Sequence, residues 1–134
     1  MSDHKQQVVS RVNEVSNVLL ALSHKIHANP ETAWQEFESA AAVAKVLRDN
    51  GFDVTEQVCG LPTAFKAEFG KGDLTVALCA EYDALPGLSQ EAIAEKKSAG
   101  KAAGHACGHH LFGTASTAAA IEVKNWLKAN QKKG

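Results

Sequence analysis

Val8, Val12, Val15, Leu19, Leu22 and Ile26 recur at intervals of four, three, four, three and four, with Arg11, Asn13, Glu14 and Asn17 between them. Apolar residues at that spacing form one stripe along an α-helix, so a single amphipathic helix is predicted across this stretch. The spacing is also that of a coiled-coil seam, but it stops short of four heptads, and a core helix accounts for it without a partner. Asn29-Pro30 closes the helix, because proline disfavours helical geometry in the residue before it. A second helix is predicted from about Thr32 to Asn50, with Thr32 and Gln35 at capping-box spacing and Gly51 where a left-handed C-terminal cap is wanted. Phe37, Ala40, Ala44 and Leu47 form its apolar face.

After Gly51 the period changes. Phe52, Val54 and Val58 predict a short strand, which Gly60-Leu61-Pro62 breaks. Phe65, Ala67 and Phe69 alternate with Lys66 and Glu68, the signature of a strand with one wet face. Gly70-Lys71-Gly72-Asp73 reads as a turn, and Leu74 to Ala80 is nearly all apolar, as expected of a strand covered on both faces. These two strands are expected to pair as a hairpin, the second lying deeper. Pro86 to Gly104 reads as loop, with a short polar helical piece at Gln90 to Lys97. Leu111 to Lys128 is predicted helical, and the small side chains of its first half (Gly113 to Ala120) suit close approach to a sheet, with Trp126 and Leu127 anchoring the far end. Helices flanking a mixed sheet make this an α/β design.

Composition narrows the class. The chain has 134 residues, 45% of them hydrophobic, and 14 Lys+Arg against 15 Asp+Glu leave a net charge of −1. Ordinary apolar content with near-zero charge excludes a disordered chain, and the length suits one domain. Without a basic excess a broad nucleic-acid footprint is not expected, although Lys124, Lys128, Lys132 and Lys133 make the last stretch locally positive. No apolar run approaches the roughly 20 residues a membrane helix needs, so no membrane partner is expected. The polar start, Met1-Ser2-Asp3-His4-Lys5, is not that of a signal peptide. Cys59, Cys79 and Cys107 are odd in number and form no C-x-x-C pair, which fits a reducing, cytoplasmic setting better than a disulfide framework. Cys59 and Cys79 have no neighbouring donors in sequence and read as core thiols.

Two segments stand out for their chemistry. Glu81-Tyr82-Asp83-Ala84-Leu85-Pro86 follows the apolar strand, and carboxylates at i and i+2 point to the same side of an extended chain, at a strand end where α/β proteins place their crevices. Gly104-His105-Ala106-Cys107-Gly108-His109-His110 leads into the last helix with imidazole and thiol donors at 105, 107 and 109. Such donors favour zinc and related divalent ions, and Gly104, Gly108 and Gly113 free the backbone to curl around one. The alternatives are a plain acidic loop after a strand and a histidine-rich loop with a core thiol.

The two segments, extended to 81–90 and 104–113, resemble the N-terminal motifs of a metallopeptidase and amidohydrolase superfamily containing aminoacylases, carboxypeptidase G and hippurate hydrolase. Pro-Gly-Leu-Ser-Gln at 86–90 is most similar to the branch of aminobenzoyl-glutamate hydrolase and its dipeptidase relatives. His24-Lys25-Ile26-His27-Ala28-Asn29-Pro30-Glu31 with Gln35-Glu36 resembles the same family's N-terminal signature, so the likeness spans about residues 15 to 130.

The resemblance implies the N-terminal portion of a zinc-peptidase-like catalytic domain. Cys107 matches the family's thiolate ligand and His109 a second ligand, while Asp83 matches the aspartate that supports the site by orienting a ligating imidazole. Glu81 falls where other branches ligate through histidine, and His105 matches a motif position read as a hydrogen-bonded loop histidine. His110 departs from the family's usual Asp or Asn, and an added donor, a loop hydrogen bond and simple drift all stay open for it. The implied cofactor is a divalent metal, zinc or manganese, with nickel or cobalt as further occupants of such a site. The implied reaction is hydrolysis of the amide bond of an N-acyl amino acid, an aminobenzoyl-glutamate-like compound or a dipeptide.

In that family the general base is a Glu of a later Glu-Glu pair, and a lid domain serves dimerisation and substrate binding. Residues 1–134 are therefore expected to form a partial catalytic domain, inactive alone, whose partner is a complementing C-terminal chain or a second copy. The alternative is a non-catalytic module that binds a metal or a partner chain, as one half of a split enzyme.

Overall fold

The computed structural model describes residues 3–134. Helices α1 (Asp3–Glu14) and α2 (Ser16–Ala28) divide the stretch expected to be one helix. At the break the Ser16 hydroxyl donates to the Asn13 carbonyl at 2.8 Å, a local bond of the kind that competes with the helical ladder. The break also divides the apolar stripe energetically. Leu19, Leu22 and Ile26 of α2 are buried, whereas α1 has no buried residue. Instead α1 is held to the last helix by the Arg11–Glu122 ion pair at 2.6 Å, whose carboxylate is almost fully enclosed.

Helix α3 (Phe37–Asp49) begins five residues later than the capping-box spacing suggests. Thr32 instead forms a parallel bridge with Ala84, the Ala84 N–H donates to the Glu31 carbonyl at 2.7 Å, and Trp34 has a left-handed φ of 69° that no helix continues through. The Glu31 side chain supplies the cap, accepting from the backbone N–H groups of Glu38 (3.0 Å) and Ser39 (2.8 Å) and from the Ser39 hydroxyl. Phe37, expected on the apolar face, is exposed; Ala42, Val43, Ala44 and Leu47 are buried. The far end is as the sequence predicts. Gly51 takes φ 79°, its N–H donates to Arg48 and the Phe52 N–H to Leu47, which together form a Schellman cap.

Strand β1 (Asp53–Glu56) pairs antiparallel with β2 (Phe65–Glu68), Val54 opposite Ala67. Val54, Phe65 and Ala67 lean on the core of Leu22, Ile26, Ala42, Val43 and Leu47, and Lys66 and Glu68 face water as their alternation predicts. The expected hairpin between β2 and residues 74–80 is not formed. That segment has no ladder partner among the described residues, and Leu74, Val76 and Leu78 are 75%, 72% and 48% exposed. An apolar run marks a strand for burial only if something lies on both sides of it, and among the described residues nothing covers this one. In place of one mixed sheet there are two small antiparallel sheets, β1–β2 and the two-residue pair β3 (Leu85–Pro86) with β4 (Ala103–Gly104). Residues 90–97 contain bends at 92–95 rather than a helical piece. Cys59 and Cys79 are exposed rather than core thiols, the first in a turn at φ 56° and the second in the uncovered segment.

Helix α4 (His109–Ala129) packs across α2, α3 and α1. Its small residues thus meet helices and the 81–82 backbone rather than the face of a sheet. Lys124 lies against this packing and donates to the Asn50 carbonyl at the end of α3; burial holds its amine below the usual lysine value. Among the described residues no helix is long and apolar enough to cross a membrane.

Candidate metal centre

Tyr82 sets the orientation of the acidic segment. Its ring packs parallel to Phe65 with centroids 6.2 Å apart, and its hydroxyl donates to the Thr63 carbonyl. Thr63 in turn donates to Glu36 at 2.6 Å. With Tyr82 turned toward the core, its neighbours Glu81 and Asp83 emerge on the other side of the chain. Gly113 admits the segment to α4, since a Cβ there would lie 3.0 Å from the Glu81 carbonyl oxygen. The two carboxylates consequently meet the first residue of α4, His109.

Glu81, Asp83 and His109 are the one set of three metal-ligating side chains, among the described residues, whose donor atoms all lie within 4.8 Å of one another. Asp83 Oδ1 lies 2.7 Å from His109 Nδ1, and Glu81 Oε2 lies 3.2 Å from His109 Nε2. Both the imidazole (20% exposed) and Asp83 (25%) are largely screened from water, whereas Glu81 is 62% exposed. A carboxylate only accepts, so the Asp83 contact places a proton on Nδ1, and the Glu81 carboxylate faces Nε2 on the other side of the ring. Two electron-rich groups at that distance repel unless a proton or a cation lies between them. The donor set thus fits a divalent ion: one imidazole nitrogen, held in the ligating tautomer by a carboxylate, with carboxylate oxygens beside it.

The other residues singled out in the sequence separate from this set. Cys107 is exposed and outside the three-residue group. His105 and His110 turn instead toward His27 on α2, with ring centroids 5.1 Å apart from each other and 6.2 and 4.8 Å from His27. His105 Nε2 lies 3.1 Å from the Ile26 carbonyl and donates to it. Burial first, then the neighbouring imidazoles, lower both His105 and His110 below the ordinary histidine value. His27 enters the sequence reading only within the N-terminal signature and not as a donor; the signal for that role was its recurrence with His24 at a helical interval on α2. Glu31 and Glu36, both within the N-terminal signature, hold the surrounding framework rather than the cluster itself.

Tyr82, the single tyrosine, reports on that framework. Its phenol is pushed up to about 12 by burial and then by the carboxylates of Glu36 and Glu31. An unfolded tyrosine titrates at about 10, so the neutral phenol contributes stability that is complete below pH 10 and is lost as pH rises through about 12. Ultraviolet titration of the phenolate band is expected to give a midpoint near 12 in the folded chain; a midpoint near 10 overturns the enclosed position of the ring.

No protein-family model matches the chain. Curated relatives do. The chain is 49% identical over 109 residues to a subunit of p-aminobenzoyl-glutamate hydrolase of Escherichia coli (strain K12), covering 80% of this chain and 23% of that protein. It is 39% identical over 109 residues to thermostable carboxypeptidase 2 of Saccharolobus solfataricus, again 80% of this chain and 27% of the relative. Hippurate hydrolase of Campylobacter jejuni is 34% identical over 88 residues, 66% of this chain and 23% of that protein. The chain thus spans about a quarter of the length of the relatives it matches. With half its residues identical across four-fifths of its length, the chain belongs to the amidohydrolase and peptidase family of p-aminobenzoyl-glutamate hydrolase, the carboxypeptidases and hippurate hydrolase.

Proposed function

We propose that residues 1–134 are the metal-binding part of an amide-hydrolysing catalytic domain. The observation that carries this reading is the Asp83–His109–Glu81 cluster, which falls on the two sequence motifs that resemble those of the family. His109 Nε2 offers the lone pair, Asp83 holds the tautomer through Nδ1, and Glu81 adds a carboxylate. Cys107, exposed and two residues before His109, is the thiolate donor that joins them when an ion binds. A bound zinc or manganese ion supplies Lewis-acid polarisation of the scissile carbonyl and acidifies a water molecule. The thiolate favours zinc and the carboxylates admit manganese.

The substrate class is an N-acyl amino acid, an aminobenzoyl-glutamate-like compound or a dipeptide, as the names of the relatives indicate for those proteins. Three free thiols suit a reducing, cytoplasmic setting. The partial domain draws its remaining ligands and its general base from sequence corresponding to the other three-quarters of the relatives. The uncovered 74–80 run, apolar and without a ladder partner, supports pairing with that sequence, which would complete a zinc-peptidase-like mixed sheet. The same run favours the second reading, a module that recruits a complementing chain or a second copy.

A chimera tests the proposal. Residues 1–134 replace the matching segment of the Escherichia coli relative, and chelator-sensitive hydrolysis of p-aminobenzoyl-glutamate is measured. Activity is expected in the chimera, lost in its His109→Gln and Cys107→Ser variants, and absent from the 134-residue chain alone. A folded, metal-loaded chimera without activity sinks the amidohydrolase reading, and turnover by the isolated chain sinks the partial-domain reading.

A further inference from the structure

His27, His105 and His110 come from two distant parts of the chain, the last turn of α2 and the loop and first turn leading into α4. Their rings meet with centroids 4.8, 5.1 and 6.2 Å apart. Three imidazoles gathered from separate elements need a reason, because each is a polar group whose nitrogens require partners when enclosed. Two of those nitrogens have none. Nδ1 of His105 and Nδ1 of His110 are buried and lack a hydrogen-bond partner among the described residues.

The unpartnered nitrogen of His105 is also prepared as a ligand. Its Nε2–H donates to the Ile26 carbonyl at 3.1 Å, so the proton sits on Nε2 and the lone pair on Nδ1. Metal-bound histidines characteristically donate the second ring N–H to a backbone carbonyl or a carboxylate, which fixes tautomer and ring direction. His109 has the mirror arrangement, with its proton on Nδ1 toward Asp83, and so addresses a different point in space.

We propose that His27, His105 and His110 form a second divalent-cation site, separate from the Glu81–Asp83–His109 group, for an ion that prefers imidazole, such as zinc or nickel. His105 Nδ1 and His110 Nδ1 are the inner ligands. His27, exposed on α2, closes the third position. Metal–nitrogen distances of about 2.0–2.1 Å place ring centroids roughly 5 Å apart, near their present spacing. The three donor nitrogens do not yet lie within 4.8 Å of one another, so the rings must turn, the exposed His27 side chain most freely, to converge on an ion. Three imidazoles leave a fourth position open to water or an anionic ligand. Ion binding there ties the end of α2 to the start of α4, the helix that carries His109.

The test is zinc stoichiometry of the full 134-residue chain, with zinc ion alone as probe, read by metal content after desalting and by competition with a chromogenic chelator. Wild type is expected to retain two zinc ions. His110→Asn is expected to retain one, and His27→Asn, altered at an exposed position, to lose the same one while keeping the far-ultraviolet circular dichroism of wild type. His109→Gln is expected to lose the other ion and keep this one, so failure of the two sites is read separately. Long-range proton–nitrogen NMR adds a readout independent of stoichiometry, because zinc shifts the His105 Nδ1 resonance in His109→Gln as in wild type. No ion retained by His109→Gln, an ion count left unchanged from wild type in folded His110→Asn and His27→Asn, or an unmoved His105 Nδ1 resonance overturns the proposal. A bridging water between the two nitrogens is then what satisfies them.

Discussion

Asp83→Asn is expected to weaken zinc binding at the His109 site about 10- to 100-fold, the range for loss of a carboxylate that orients a ligating histidine. The substitution hardly changes the volume of the side chain, which makes it a test of charge and proton position rather than of packing. Asp83 sits 2.7 Å from His109 Nδ1 and, as an acceptor only, holds the imidazole proton there. An asparagine can present its amide NH2 instead, which stabilises the other tautomer and places a proton on the nitrogen that should carry the lone pair. It also removes a negative charge next to the proposed cation. The measurement is zinc competition on the chain with His110 replaced by Asn, so that one site is read at a time, together with NMR assignment of the His109 tautomer. Unchanged affinity with unchanged tautomer would mean that Asp83 positions nothing and that the 2.7 Å contact is only a surface pair.

The second large effect concerns stability. Ile26→Ala is expected to cost about 2–5 kcal/mol, the range for truncating a buried aliphatic side chain to alanine. Ile26 is 1% exposed, the most enclosed large side chain among the described residues, and belongs to the cluster formed by Leu22, Ala42, Val43 and Leu47. Its loss leaves a cavity where α2 and α3 meet beneath the β1–β2 hairpin. Set against a total stability of roughly 5–15 kcal/mol for a domain, that is a large fraction. Ile26→Val removes one methyl group and is expected to cost about 0.5–1.5 kcal/mol, which keeps the comparison readable if the alanine variant does not fold. Urea unfolding followed by circular dichroism measures both. A cost below about 1 kcal/mol for the alanine variant, well under the range for a buried site, would show that the core lies elsewhere.

Much of the framework was legible because its causes are local. Leu19, Leu22 and Ile26 lie on one face of α2 because three- and four-residue steps return to the same side of a helix, and that face is the buried one. Gly51 ends α3 because the left-handed conformation costs it little. Lys66 and Glu68 face water because alternate residues of a strand face opposite ways. The pairing of Glu81 with Asp83 on one side of the chain follows from the same two-residue period, and their meeting with His109 joins the two segments singled out for their donor chemistry.

Other features depended on partners that no local pattern contains. Residues 74–80 carry the composition of a buried strand, yet composition states only what a segment can tolerate, and without covering layers it lies exposed. Thr32 and Gln35 have capping-box spacing, but the bridge from Thr32 to Ala84 commits that stretch to another neighbour and moves the helix start to Phe37. The histidine-rich loop reads as one set of donors along the sequence. In space it divides, His109 toward Asp83 and Glu81, His105 and His110 toward His27. Periodicity, the glycine cap at Gly51 and motif chemistry were thus determined by the sequence alone, because each arises from groups a few residues apart. Which strand edge is paired, which apolar run is covered and which imidazole faces which carboxylate were decided only in the tertiary structure, where residues far apart in the chain compete for the same contact.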